Sequence, residues 1–101
     1  MKEYNKLVRD RIPEIIEAKG GKSVTHIATD EEYKEKAIEK LQEEMAEFLE
    51  SKDPEELADL LEITYAVAES LGVSKDELEA MRSKKATERG GFTKRIILEK
   101  S

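Results

Sequence analysis

Between residues 30 and 51 apolar side chains recur at Tyr33, Ala37, Ile38, Leu41, Met45, Phe48 and Leu49. Spacings of three and four place them on a single stripe of an α-helix. The run is preceded by Thr29-Asp30-Glu31-Glu32, a capping-box pattern that predicts the helix start. Asp53-Pro54-Glu55-Glu56 opens a second long helix, ending near Leu71, in which Leu57, Leu60, Leu61, Ile63, Tyr65, Val67, Ala68 and Leu71 cover a wide apolar arc. So wide an arc predicts that this helix is the central one. Ser74-Lys75-Asp76-Glu77 starts another helix that reaches about Glu88, and Asp10 begins a short one with Pro13 in its first turn. Gly20-Gly21, Gly72 and Gly90-Gly91 follow these stretches as closing residues. Residues 22–28 (KSVTHIA) read as a short strand that the extended tail 92–99 could pair with. The expected architecture is all-α: one domain over residues 1–101, a bundle of about four helices, with a small two-stranded ribbon at one end.

Composition sharpens this picture. Leu, Ile, Val and Phe supply 23 of 101 residues, enough for a folded chain, yet 42% of residues are charged and 5% aromatic. A core that thin predicts a homo-oligomer sharing apolar faces. No apolar run approaches the ~20 residues that span a bilayer and no leader-like segment opens the chain, so a soluble, cytoplasmic protein is expected. Zero Cys and one His exclude a disulfide framework, a zinc ribbon, a thiol nucleophile and a His-rich metal site. A net charge of −6 argues against binding to a nucleic-acid backbone. Asn and Gln occur once each among abundant Lys and Glu, a balance resembling that of thermophilic proteins.

The helical wheel picks out particular acids, at ~100° per residue. Glu44 falls inside the apolar arc of the first long helix, between Tyr33 and Ala37, with Glu47 about 60° away at its border and Glu43 beside Glu47 at i,i+4. Glu56 falls inside the arc of the second, between Ile63 and Val67, with Asp59 about 60° away. Acids on facing helices repel one another unless a cation lies between them. A hard divalent ion with oxygen ligands meets that need, Mg²⁺ being the usual one beside phosphates. The predicted ligands are Glu44, Glu47, Glu56 and Asp59. The competing reading is a solvated acidic face, in which Glu56 serves its own capping box and Glu44 reaches water from the flank of the bundle.

Glu43-Glu44-Met45-Ala46-Glu47 followed by Glu56-Leu57-Ala58-Asp59 resembles the EExxE…ExxD signature of the all-α nucleotide pyrophosphohydrolases, which include MazG-type enzymes, phosphoribosyl-ATP pyrophosphohydrolase and dimeric dUTPases. YNKLVRDRIPEII at 4–16 and KKATERGGFTKRIILE at 84–99 are similar to a MazG-like, phosphoribosyl-ATP-pyrophosphohydrolase-like group, so the likeness covers essentially the whole chain. Eight residues separate Glu47 from Glu56, fewer than is usual in the superfamily, which makes Glu62 a further candidate ligand. The resemblance implies Mg²⁺-dependent (or Mn²⁺-dependent) cleavage of a nucleoside triphosphate between the α and β phosphates, by a homodimer or homotetramer. Glu43 and Glu47 are then the candidates for orienting the attacking water.

Polyphosphate also calls for cations. Leu78 and Met81 set the expected inward face of the last helix with Lys85 between them; Arg89 follows at i,i+4, and Gly90-Gly91 can expose backbone N–H groups to an anion. Lys94 and Arg95 lie beyond the glycines, and Lys6 and Arg9 sit in an N-terminal segment able to fold over a nucleotide or form an oligomer contact. A helix C-terminus attracts Lys and Arg through its dipole without any ligand. His26, Tyr33 and Tyr65 are expected to pack, whereas Phe92 is a candidate for touching a base. The alternatives are a phosphoribosyl-ATP pyrophosphohydrolase of histidine biosynthesis and a non-catalytic helical oligomerisation module.

Overall fold

Each long helix begins where a side chain takes up a backbone N–H that would otherwise lack a partner. Thr29 Oγ1 accepts from the Glu32 N–H at 3.2 Å, and Asp53 Oδ1 from the Glu55 N–H at 3.0 Å. Ser74 completes a full capping box: its hydroxyl accepts from the Glu77 N–H and its own N–H donates to Glu77 Oε1. The box expected at Thr29 is only half formed, because the Glu32 carboxylate is engaged by His26 Nε2 at 2.9 Å. His26 is therefore an exposed hydrogen-bond partner of Glu32 and not a packing residue.

The computed structural model describes residues 2–101. It is all-α, with α1 (Ile12–Ala18), α2 (Asp30–Ser51), α3 (Pro54–Ser70) and α4 (Lys75–Arg89), and no strand among the described residues. α2 and α3 form an antiparallel hairpin, α4 packs on α3, and α1 packs on no other helix. α3 is thus the central element, as its wide apolar arc predicts. The hairpin turns within two residues because Lys52 adopts a left-handed conformation (φ +56°) and Asp53 immediately caps α3. At the far end Gly72 (φ +82°) closes α3: its N–H donates to Glu69 O, and the Val73 N–H donates to Ala68 O.

The ribbon does not form. Residues 22–28 and 92–99 are not strands, and their apolar side chains stand in solvent, Ile27 95% and Ile97 82% exposed. Two isolated strands with no layer to cover one face cannot repay the ordering of their backbones.

Among the described residues only Ala37 of α2 and Ile63 and Ala68 of α3 form a buried apolar core. Three of the seven residues of the predicted α2 stripe, Ile38, Met45 and Leu49, are exposed, as are Leu57 and Leu61 of α3. The inward face expected of α4 is incomplete too: Leu78 is half-buried, whereas Met81 and Lys85 are exposed. The radius of gyration is 17.4 Å, against roughly 13 Å for a compact chain of this length. No helix among the described residues is long and apolar enough to cross a membrane.

Candidate metal centre

Glu44 lies in the middle of α2 and points into the seam with α3. It is 7% exposed, the one charged side chain buried among the described residues. Its Oε1 lies 3.2 Å from Lys40 Nζ, one helical turn earlier. Its Oε2 is buried with no hydrogen-bond partner. A buried carboxyl oxygen left without a donor destabilises the fold by about 1–3 kcal/mol or more, so this atom calls for an explanation.

Apart from Lys40, its charged neighbours in the seam are acids. Ligand oxygens of Glu43, Glu44 and Glu47 lie within 4.8 Å of one another, and so do those of Glu44, Glu56 and Asp59. Glu44 is common to both groups, so α2 and α3 together bring five carboxyls into two groups that share one buried residue. The i,i+3 spacings within 44–47 and 56–59 put each pair on one helix face, and the tight turn at Lys52-Asp53 brings the two pairs together. The short connection therefore keeps Glu56 in the set; Glu62 is exposed and joins neither group.

The titration behaviour follows the crowding. Glu47 has its pKa raised by partial desolvation and then by the charges of Glu44, Glu56 and Glu43. Glu56 is raised by partial desolvation and then by Asp59, Glu44 and Asp53. For Glu43, partial burial pushes upward, but Lys6 and Lys40 outweigh it and hold the pKa below the ordinary value.

Three cations already serve this cluster. Lys6 Nζ lies 3.1 Å from Glu43 Oε1, and Arg9 Nη2 lies 2.7 Å from Asp59 Oδ1. Lys40 bridges Glu44 and Glu43, the latter at 3.5 Å. Five carboxyls against three cations leave a formal shortfall of two charges, the charge of one divalent ion. The donor set is wholly oxygen, which suits Mg²⁺ or Mn²⁺ and not a thiophilic metal. The side chains that could hold a hard divalent cation fall into two overlapping sets, Glu43, Glu44 and Glu47 on α2 and Glu44, Glu56 and Asp59 across the seam; Glu47 does not join Glu56 and Asp59 in one set.

Sequence reasoning left Lys6 and Arg9 between a nucleotide contact and an oligomer contact; the structure pairs them with Glu43 and Asp59, across 37 and 50 residues of chain. Lys85, Arg89, Lys94 and Arg95 make no ion pair with these acids, whose cation partners are Lys6, Arg9 and Lys40. Arg89, Lys94 and Arg95 instead line a separate shallow depression with Gly90, Gly91 and Phe92, whose ring is 97% exposed. Lys40 is the residue that sequence reasoning missed. Its signal was present: it precedes Glu43 and Glu44 at i,i+3 and i,i+4, where a cation meets both.

A second depression, between Tyr33, Lys34 and Glu69, lies at the other end of the hairpin. Burial and the charges of Glu69 and Asp10 push the Tyr33 hydroxyl pKa up, but none of the acidic groups with converging ligand atoms lies there. Tyr65 is half-buried, with Lys75 Nζ 4.5 Å from the centre of its ring. Comparison with family models, with curated proteins and with solved structures yields no match to this chain.

Proposed function

We propose that the chain is a Mg²⁺-dependent nucleoside triphosphate pyrophosphohydrolase of MazG-like type, which clears unwanted nucleotides in the cytoplasm as a homodimer or homotetramer. The observation that carries this reading is the unpartnered, buried Oε2 of Glu44, the residue shared by two groups of converging carboxyls from two helices. A solvated acidic face gives no reason to bury that atom; a cation site does. When bound, the ion offsets repulsion between the acids and a polyphosphate and polarises the phosphoryl oxygens.

The chain's own residues then divide the work. Glu44, Glu56 and Asp59 are fixed by the seam and the tight turn, and serve as ligands. Glu43 is committed to Lys6 and Lys40. Glu47 is exposed and pairs with no cation, so of the two candidates it is the better placed to orient a water and take its proton. In the balanced reaction, water oxygen bonds to the α-phosphorus, and the bond from that phosphorus to the bridging oxygen breaks. Pyrophosphate leaves with the electron pair. Lys6 and Arg9, on the open side of the cluster, are within reach of a phosphate lying over it.

The test is a pyrophosphate-release screen over ribo- and deoxyribonucleoside triphosphates with Mg²⁺, with phosphoribosyl-ATP as a separate arm. Release that is lost on Glu47→Gln supports the reading. Release confined to phosphoribosyl-ATP assigns the chain to histidine biosynthesis, and no release from any substrate leaves the non-catalytic module.

A further inference from the structure

The two acidic sets differ in what the chain already places in them. In the α2 set, Lys40 Nζ stands 3.2 Å from Glu44 Oε1 and 3.5 Å from Glu43 Oε1, and Lys6 Nζ reaches the same Glu43 oxygen at 3.1 Å. In the set across the seam one cation, Arg9, reaches one acid, Asp59, at 2.7 Å. The pairs also differ in depth, the Lys40 side chain being 18% exposed and that of Arg9 55%. A cation lodged against a buried carboxylate is costly to remove, whereas a half-exposed pair contributes little and yields to a competing ion.

We propose that Lys40 is a built-in counter-ion standing where a second divalent cation would bind, so that it limits the chain to one ion and keeps Glu47 free of metal. The inference rests on the reading of the cluster as a cation site, and adds which residue decides how many ions enter and where. Lys40 is a positioning residue: it acts through Glu43 and Glu44.

Glu44 shows how the division works. Its carboxyl belongs to both sets. Lys40 takes Oε1, and the buried Oε2 has no partner. The oxygen left for an ion is therefore Oε2, and the set with an open place is Glu44, Glu56 and Asp59. Charge agrees with this. With Lys6, Lys40 and Arg9 in place, one divalent ion neutralises the five carboxyls; a second would bring two uncompensated positive charges close to the Lys40 ammonium. In the α2 set Glu47 is the acid that neither lysine reaches, and it makes no ion pair among the described residues. Kept off the metal, it retains its lone pairs for a water. The i,i+3 and i,i+4 spacing of Lys40 to Glu43 and Glu44 holds the ammonium in register with both acids.

The test is calorimetric titration of Mn²⁺ into metal-free protein, with electron paramagnetic resonance of the bound ion. Wild type and Lys40→Arg should each bind one Mn²⁺ per chain, with the hyperfine pattern of an isolated ion. Lys40→Gln should bind a second, weaker Mn²⁺, and filling that site should replace the isolated pattern with the broadened signal of a coupled pair sharing Glu44. Within the wild-type background, Glu56→Gln should weaken Mn²⁺ binding on the order of 100-fold and Glu47→Gln less than about 3-fold. Two ions in wild type, one ion in Lys40→Gln, or equal losses in Glu47→Gln and Glu56→Gln would each overturn the proposal. Should Lys40→Gln lose its helical circular dichroism, the Glu47 and Glu56 variants decide. A wild type that binds no Mn²⁺ removes the cation site itself and this inference with it, whereas one ion in both wild type and Lys40→Gln removes this inference alone.

Discussion

The two sides of the α2–α3 hairpin are built from the same residues of backbone and meet opposite fates. On one side, five carboxyls are drawn together and the chain supplies its own cations, Lys6, Arg9 and Lys40, to hold them. On the other, five large apolar side chains are left about half exposed to water. Neither side is at rest in a lone chain. The acidic side is short of two positive charges, and the apolar side is short of a surface. The first deficiency asks for an ion and the second for another protein.

The largest expected effects come from removing each deficiency in turn. Glu44→Leu deletes a buried unpartnered carboxyl while Lys40 keeps Glu43, so the metal-free chain should gain about 1–3 kcal/mol in denaturant unfolding. The same variant should lose any rise in Tm with millimolar Mg²⁺. A loss of stability would mean that Glu44 is satisfied already, and the contrast between the sides would fail. Leu61→Ala probes the other side. Half-exposed in one chain, Leu61 should contribute under ~1 kcal/mol there, but about 2 kcal/mol or more if a second copy buries it. The expected result is the larger figure, with a Tm that rises with protein concentration.

Smaller effects sharpen the acidic side. Arg9 competes with an ion for Asp59 across a half-exposed pair, so Arg9→Ala should tighten Mn²⁺ binding about 2–5-fold while weakening the affinity for a triphosphate. Both would be read by calorimetry, and weaker ion binding would rule out the competition. For pH, Glu47 and Glu56 have raised pKa values. The folded chain therefore holds protons more tightly than the unfolded one, and stability should rise as pH falls from their raised values to the ordinary carboxylate value. Below that, Glu43 and Glu79, both lowered, lose their contributions as pH falls through their own values. The Tm of metal-free protein should accordingly pass through a maximum on mild acidification, and Mg²⁺ should flatten its rise. Smallest of all, Lys52→Gly relieves a left-handed non-glycine residue and should add about 0.5–1 kcal/mol; no gain would mean that the Lys52 Nζ bond to Leu49 O, at 2.7 Å, offsets the strain.

What could be read from the amino-acid pattern was set locally. Thr29, Asp53 and Ser74 announced three helix starts because a cap acts within its own first turn. Glu44 and Glu56 stood out because a carboxyl within an apolar arc breaks the period. What escaped was long-range. That Lys6 and Arg9 reach Glu43 and Asp59 depends on how the N-terminal segment crosses the hairpin, and no local spacing encodes a contact across 50 residues. The wheel could say that Met45 and Phe48 share a stripe, but not that the stripe is wider than the single neighbour available to cover it. The ribbon failed for a related reason: Val24, Ile27, Ile96 and Ile97 favour extended backbone, yet no layer lies against them.

The most direct test of the account is a calorimetric titration of Mn²⁺ into metal-free protein, wild type beside Glu44→Gln and Asp59→Asn. One saturable site per chain is expected, weakened on the order of 100-fold in each variant. Heats that do not saturate, or an affinity unchanged in both variants, would contradict the claim that α2 and α3 converge their acids on a cation.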